Sequence, residues 1–463
     1  MMPRPASMAV GLITLAIGLL VIGREIFDVH FLDIGLYVLV TLLMIVLAFH
    51  VSRSRQIFVA VALLLSLANL IWNQDWPTTL TSGLATAAFI STFFSALSTL
   101  KFAAESSPSI RRCGQFLSQQ PPGRRYIALT VGGQLFGLLL NYGSISLLGS
   151  MSVSQAALER NEEIRTHRIR RMLLAIQRGF ISILPWSPFS FAIAIPVALV
   201  PGATWATSAI PGLVSGAIMA LTGWLLDTVF KPKLKTPAPA RPIDKNWNSI
   251  MPLVVLLLLL ATMIGIAYQI TGMRVVILVT LIVPVISLAW IAVQHLGDQS
   301  VVQVRQRAAN FLFVQLADFR GEMILLIMAG YLGTIASPLL GALIQTFSID
   351  LTAIPAWSIL VLIVWFIPLV GQIGMNPILA ATLITPVLPN ASALGVTPAS
   401  IVMAITAGWI LSGVSSPFTA TTLLVGKFGN VSSHHVGTRW NGSYTLLCAT
   451  LLSVWVAVYS GLG

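Results

Sequence analysis

Residues 179–190 read GFISILPWSPFS, and residues 408–419 read GWILSGVSSPFT. At a constant offset of 229 residues, Gly179 matches Gly408 and Ile181 matches Ile410. Ser187, Pro188 and Phe189 match Ser416, Pro417 and Phe418, while Phe180 pairs with Trp409 and Ser190 with Thr419 as similar types. A proline inside a helix removes one donor and blocks the carbonyl four residues back. Pro185 and Pro188 bracket Trp186 and Ser187, and Pro417 sits beside Ser415 and Ser416 with Gly413 just before. Each stretch therefore predicts an apolar helix opened in its middle, and the pair predicts an internal repeat.

Composition says where such helices live. Of 463 residues, 56% are apolar and only 9% are charged, against roughly 25% charged in an ordinary soluble domain. The mean hydropathy is +0.90. A soluble enzyme, a disordered chain, a collagen-like fibre and a disulfide scaffold are excluded, which leaves an all-α polytopic membrane protein. Apolar runs long enough to cross ~30 Å of hydrocarbon stand near 8–23, 31–50, 57–72, 79–100, 179–200, 209–230, 250–270, 275–296, 321–344, 400–426 and 443–460, about 11 in all. The first follows a single arginine, Arg4, and lacks a clear small-residue cleavage site, so a retained helix is expected rather than a signal peptide.

The net charge of +12 becomes informative once it is sorted by loop. Arg53 and Arg55 share one loop; Lys101, Arg111, Arg112, Arg124 and Arg125 share the next. Arg160, Arg165, Arg168, Arg170, Arg171 and Arg178 follow, then Lys231, Lys233, Lys235, Arg241 and Lys245, then Arg305, Arg307 and Arg320, then Lys427 and Arg439. With Arg4 these are 24 of the 26 basic residues, and only Arg24 and Arg274 fall outside. All 24 share the cytoplasmic side if the spans alternate. The excess is thus an orientation signal rather than a nucleic-acid footprint. It predicts a multi-pass protein of a bacterial inner membrane with a cytoplasmic N-terminus.

That sorting attaches a condition to two further apolar stretches. Residues 126–151 have basic flanks on both sides, so they are expected to enter and leave on one face as a re-entrant hairpin. The tip would be Leu140-Asn141-Tyr142-Gly143-Ser144, and non-helical backbone at membrane depth survives only buried in protein or lining a cavity. The loops around 345–355 and 389–399 hold no Lys or Arg, so 356–388 is expected to be a second hairpin that opens outward, with its tip at Gly371–Pro377. A pair of kinked spans is the other reading of each. The resulting organisation is an extra N-terminal helix (1–30), a first unit (31–230) with hairpin 126–151 and broken helix 179–200, a basic, Pro-rich cytoplasmic linker (231–249), and a second unit (250–463) with hairpin 356–388 and broken helix 400–426. The two broken helices run in opposite directions, and inverted repeats with helices broken near the midplane are the architecture of secondary transporters.

An opened turn at midplane exposes carbonyls that suit a cation, and half-helix N-termini that attract an anion. The hydroxyls of Ser187, Ser190, Ser415, Ser416 and Thr419 add donors and acceptors; a packing kink with those hydroxyls bonded back to the helix is the competing reading. Neither hairpin nor broken helix contains Asp, Glu or Lys. A proton relay usually needs an intramembrane carboxylate or His, so the pattern favours Na+ as coupling ion and calls for no resident metal or cofactor. His434 and His435 fall in a cytoplasmic loop, and Cys113 and Cys448 make neither a framework nor a CxxC pair. No GxSxG elbow or HExxH helix is present, which argues against an intramembrane enzyme. The segment 152–178 alternates arginines with Leu158, Ile164, Ile169, Leu173 and Ile176 and reads as an amphipathic helix on the inner surface. The stretch 299–320 reads as its counterpart.

The layout resembles the ion transporter superfamily, most closely its divalent anion–sodium symporter branch for dicarboxylates and citrate. The resemblance spans nearly the whole chain: one extra helix, then two inverted units with a hairpin in each. It implies a substrate and ion site at the hairpin tips and adjoining unwound helices. Here that means Asn141, Gly143, Ser144, Ser187 and Pro188 in the first unit. In the second it means Asn376, Pro377, Thr382, Ser416, Pro417 and Thr419. The tips read Asn-Tyr-Gly-Ser and Met-Asn-Pro where the family carries a Ser-Asn-Thr triplet. It further implies a homodimer working by an elevator motion in the lipid bilayer. The function expected is sodium-coupled transport of a small anion such as a carboxylate; a proton-coupled exporter or antiporter of the same fold is the alternative.

Overall fold

The structure, a computed structural model, describes residues 4–27, 31–105, 107–231, 247–294, 300–346 and 351–461. Every regular element among them is helical. In chain order these are α1 (Arg4–Phe27), α2 (Leu32–Phe49), α3 (Arg53–Trp72), α4 (Trp76–Glu105), α5 (Pro108–Ser118), α6 (Pro122–Leu140) and α7 (Gly143–Ala157). There follow α8 (Glu162–Ile183), α9 (Phe191–Leu199), α10 (Trp205–Val229), α11 (Met251–Thr271), α12 (Val275–Gln294), α13 (Ser300–Asn310) and α14 (Leu316–Asp318). The last seven are α15 (Arg320–Thr346), α16 (Ala356–Gln372), α17 (Pro377–Ile384), α18 (Pro398–Ser415), α19 (Ala420–Gly429), α20 (Ser433–His435) and α21 (Gly442–Ser460). Two π-turns interrupt the series, Phe311–Gln315 and Val436–Trp440.

Ten helical stretches among the described residues are long and apolar enough to cross a membrane. Their outward faces are apolar, as at Leu63 and Leu64, which are 63% and 66% exposed. Hydrocarbon is the solvent that tolerates such a face, and the chain is an all-α polytopic membrane protein. The run 179–200, expected as a broken span, is not among these ten. Its first residues are the last turn of α8, residues 184–190 are non-helical, and α9 completes it.

The surface arm expected over 152–178 is corrected. Asn161 accepts the Ile164 N–H at 3.2 Å and so caps α8, with Glu162 and Glu163 in the first turn where the helix dipole favours carboxylates. Nothing breaks the helix between there and Pro185, so it runs through Gly179 into the interior, and Met172 through Ile183 are buried. Arg178, expected in a loop, is therefore buried within α8.

The chain folds into two compact units that cut across the sequence repeats. Unit 1 comprises 1–103, 263–351 and 378–389; unit 2 comprises 104–262, 352–377 and 390–463. Each repeat thus gives its leading spans to unit 1 and its broken helix to unit 2. Most of the expected linker, residues 232–246, lies outside the described residues.

In unit 1, α3 and α15 are stitched by Ser66 Oγ to Tyr331 OH at 2.9 Å and by Asn69 Nδ2 donating to Ile335 O at 2.8 Å. The two arginines left out of the charge sorting each pair with a carboxylate here. Arg24 lies 3.1 Å from Asp33, and Arg274 grips Glu25 through two bonds of 2.8 and 2.7 Å.

In unit 2, α6 packs on α8 and α16 packs on α18. Both pairs approach at a glycine. A Cβ at Gly179 would strike Thr130 O on α6; one at Gly408 would come within 2.9 Å of both Ile363 O and Ile367 Cβ on α16. The glycines that match in sequence serve the same purpose, close passage of a neighbouring helix backbone.

Candidate functional site

The two breaks are built from one set of hydrogen bonds. In the first, Ser187 N donates to Ile183 O at 2.9 Å, Ser187 Oγ accepts from Phe189 N at 3.2 Å, and Ser190 N donates to Ser187 O at 3.0 Å. In the second, Ser416 N donates to Ser412 O at 2.9 Å, Ser416 Oγ accepts from Phe418 N at 3.3 Å, and Thr419 N donates to Ser416 O at 3.5 Å. Every donor and acceptor corresponds at the offset of 229. The logic is local. A Ser hydroxyl bonds its own backbone two residues on, Pro188 or Pro417 cannot continue the helix, and the next hydroxyl residue starts a new one. Ser190 caps α9, with its Oγ accepting from Ala192 N at 3.1 Å, and Thr419 occupies the same position before α19. Ser187 and Ser416 are almost wholly buried.

The carbonyls freed by the breaks are met differently. Pro417 leaves Gly413 O without a helical donor, and the hydroxyls of Thr419 and Thr421 occupy it. Thr422 Oγ1 donates to Ser416 O at 2.6 Å. In the first break, indoles take this part: Trp186 Nε1 donates to Ser182 O and Trp205 Nε1 to Trp186 O, each at 2.9 Å. The run Thr419-Ala420-Thr421-Thr422 was the sequence signal for the second arrangement, and Thr421 and Thr422 were not among the expected residues.

Each of α6 and the α16 end is bonded to a broken helix. Gln134 Nε2 on α6 donates to Ser182 Oγ on α8 at 2.9 Å. Gln372 Nε2 donates to Ser415 Oγ at 3.2 Å, and Ser416 Oγ donates to Gly371 O at 2.6 Å. The second tip is thus latched directly to the second break, while Gly374 supplies the left-handed turn at φ +96°. Pro377 closes this tip, and Asn376 lies beside it, half-buried. The first tip turns at Asn141, whose φ of 52° and ψ of −139° lie outside the ordinary regions for a side-chain-bearing residue. Asn141 Oδ1 accepts from Tyr142 N at 2.8 Å, and α7 begins at Gly143. Ser144 is fully buried and its hydroxyl has no partner, as is also true of Ser412 beside the second break. A buried hydroxyl without a partner is costly, and Thr92, Thr130, Ser152, Ser208 and Thr445 share that state elsewhere in the protein.

The broken helices meet where Ile181 of α8 lies against Gly413 of α18. The structure therefore brings Ser187, Pro188, Ser190, Ser415, Ser416, Pro417 and Thr419 into one unit with Asn141, Gly143, Ser144, Asn376 and Pro377. Among the described residues no side-chain hydrogen bond joins Asn141, Gly143 or Ser144 to Ser187 or Ser190. Thr382 is set apart. It belongs to unit 1, where its hydroxyl donates to Ala329 O on α15 at 3.2 Å and to Ile378 O at 2.9 Å.

No family model and no curated protein matches the chain. Solved structures do share its fold. The YdaH transporter of Alcanivorax borkumensis, whose topology is described as unusual, is similar with a TM-score of 0.54 at 16% identity, covering 89% of this chain and 100% of that one. MtrF of Neisseria gonorrhoeae, described with a class of antimetabolite efflux pumps, is similar with a TM-score of 0.54 at 12% identity, covering 89% of this chain and 96% of that one.

Proposed function

We propose that the protein is a secondary active transporter that moves a small anion, a carboxylate in the first instance, through the two breaks of unit 2. The observation that carries the reading is the pair of breaks. Two buried turns that share the same serine-centred backbone bonds suit a binding site contributed by two repeats. Their chemistry is uncharged: hydroxyls, amide groups and the starts of α9 and α19. Such groups hold a small anion by hydrogen bonds and partial helix charges. We take the repeats to be inverted in the membrane, and unit 2, which holds both breaks, to be the moving body of an elevator cycle within a homodimer.

Sodium is the coupling ion in this reading, because no carboxylate lies in either break or tip. The divalent anion–sodium symporter resemblance supports it. The fold shared with an efflux pump favours a second reading, proton-coupled export by the same breaks.

Counterflow in proteoliposomes tests both readings. Labelled small carboxylates should accumulate against preloaded unlabelled substrate, and the rate should rise with sodium at constant ionic strength. Uptake indifferent to sodium but driven by a pH gradient would replace the first reading with the second. No counterflow of any anion would remove both.

A further inference from the structure

A second polar cluster lies on the same helix before its break, and neither the motif nor the transport reading uses it. Gln177 and Arg178 stand side by side on α8, fully buried and 5% exposed respectively. All three bonds of the Arg178 guanidinium go to neutral groups: Nε donates to Asn441 Oδ1 at 3.1 Å, Nη1 to Tyr126 OH at 3.3 Å and Nη2 to Trp440 O at 3.4 Å. The Tyr444 ring, with its centroid 4.2 Å from the guanidinium carbon, covers one face. Among the described residues no carboxylate pairs with Arg178. Asp227, whose field reaches Tyr126, is already committed to Arg171 through two bonds of 2.7 and 2.6 Å. A buried cation without a counter-charge is strongly unfavourable.

The amides beside it add to the imbalance, and the network fixes which way they face. Arginine can only donate, so the Asn441 atom facing Arg178 Nε is its oxygen. Asn441 Nδ2 then donates to Gln177 Oε1 at 3.0 Å, which turns Gln177 Nε2 away, and that buried nitrogen has no partner. The cluster holds one positive charge, two N–H donors left over of the five on an arginine, and an unoccupied amide donor. It offers no unpaired anionic acceptor.

We propose that Gln177, Arg178 and Asn441 form a resident binding site for one small monovalent anion, of the size of chloride or formate. A single negative charge neutralises the guanidinium, and burial of all the surrounding groups restricts the ligand to a few atoms. The site uses no residue of either break, so it stands or falls separately from the transport reading.

The test uses the full-length protein in detergent, in a buffer whose only anion is bulky lactobionate. Chloride or formate is titrated at constant ionic strength while the unfolding temperature is followed, because a ligand of the folded state raises it saturably. Wild type should show that rise. Gln177→Leu, which keeps the cation and removes the amide, should raise the half-saturating concentration about tenfold, the scale of one hydrogen bond to a charged group. Arg178→Gln should abolish the response. Thr450→Val, at an exposed hydroxyl bonded only to its own helix, should leave the chloride response unchanged. An unfolding temperature indifferent to both anions, or a Gln177→Leu curve that overlays wild type, would overturn the site. A chloride response lost in Ser416→Ala but kept in Arg178→Gln would also overturn it, by placing the anion at the breaks.

Discussion

At the scale of single residues, Ser187 and Ser416 perform the same local task with different reach. Each hydroxyl accepts from the N–H two residues on, but only Ser416 also donates across to a tip, at Gly371 O. Ser416→Ala should therefore cost about 1 kcal/mol more stability than Ser187→Ala, the scale of one buried hydrogen bond, because Gly371 O keeps the Gly374 N–H. Thermal unfolding in detergent gives the order, and equal losses would show that the tip latch contributes nothing. In counterflow both variants should slow transport, by about tenfold for each 1.4 kcal/mol of lost ligand or transition-state binding. Arg178 shows how a residue can be misjudged one position from a motif. Its charge places it with the loop arginines, and only the unbroken α8 buries it.

At the scale of elements, the glycines decide how closely helices pass. A Cβ at Gly179 meets a backbone carbonyl that cannot rotate away, whereas at Gly408 it meets Ile363 O and an isoleucine side chain at 2.9 Å. Gly179→Ala should destabilise by about 1–3 kcal/mol or more as α6 is forced off α8, and Gly408→Ala by less, because its neighbours on α16 stand farther off than Thr130 O does from Gly179. The reverse order in unfolding temperatures would refute this account of the packing. The breaks were legible in the sequence because proline acts on its own helix and needs no partner. The extent of α8 was not, because the alternation of arginines with Leu173 and Ile176 is equally compatible with a surface helix and with one entering the protein. Tertiary burial of Met172 through Ile183 settles it. Thr382 was matched on the tip pattern, yet its hydroxyl bonds back to its own helix and to Ala329 O. Nothing local in the sequence records which unit a strand of chain joins.

At the scale of the whole molecule, the charge sorting and the fold divide the chain in different ways. The two arginines that escape the sorting are also two that carry carboxylate partners, Arg24 with Asp33 and Arg274 with Glu25, so each leaves a neutral pair and the bias of the remaining cations undisturbed. On the proposed topology Ser154 faces the cytoplasm and Ser392 the outside. Both are exposed, and both accept a cysteine better than Gly395, whose φ of 64° would strain any side chain. The native thiols should stay silent. Cys448 is buried, and burial pushes the Cys113 thiol up to about 12, so near pH 8 it remains protonated and unreactive. In wild-type vesicles a membrane-impermeant maleimide should therefore label nothing until the protein is unfolded. In Ser154→Cys it should react only from the cytoplasmic face, and in Ser392→Cys only from the outer face. Labelling of Ser154→Cys from outside would turn residues 126–151 into an ordinary span and remove the inversion. The inverted pair of breaks, and with it the alternating-access reading, depends on that one result.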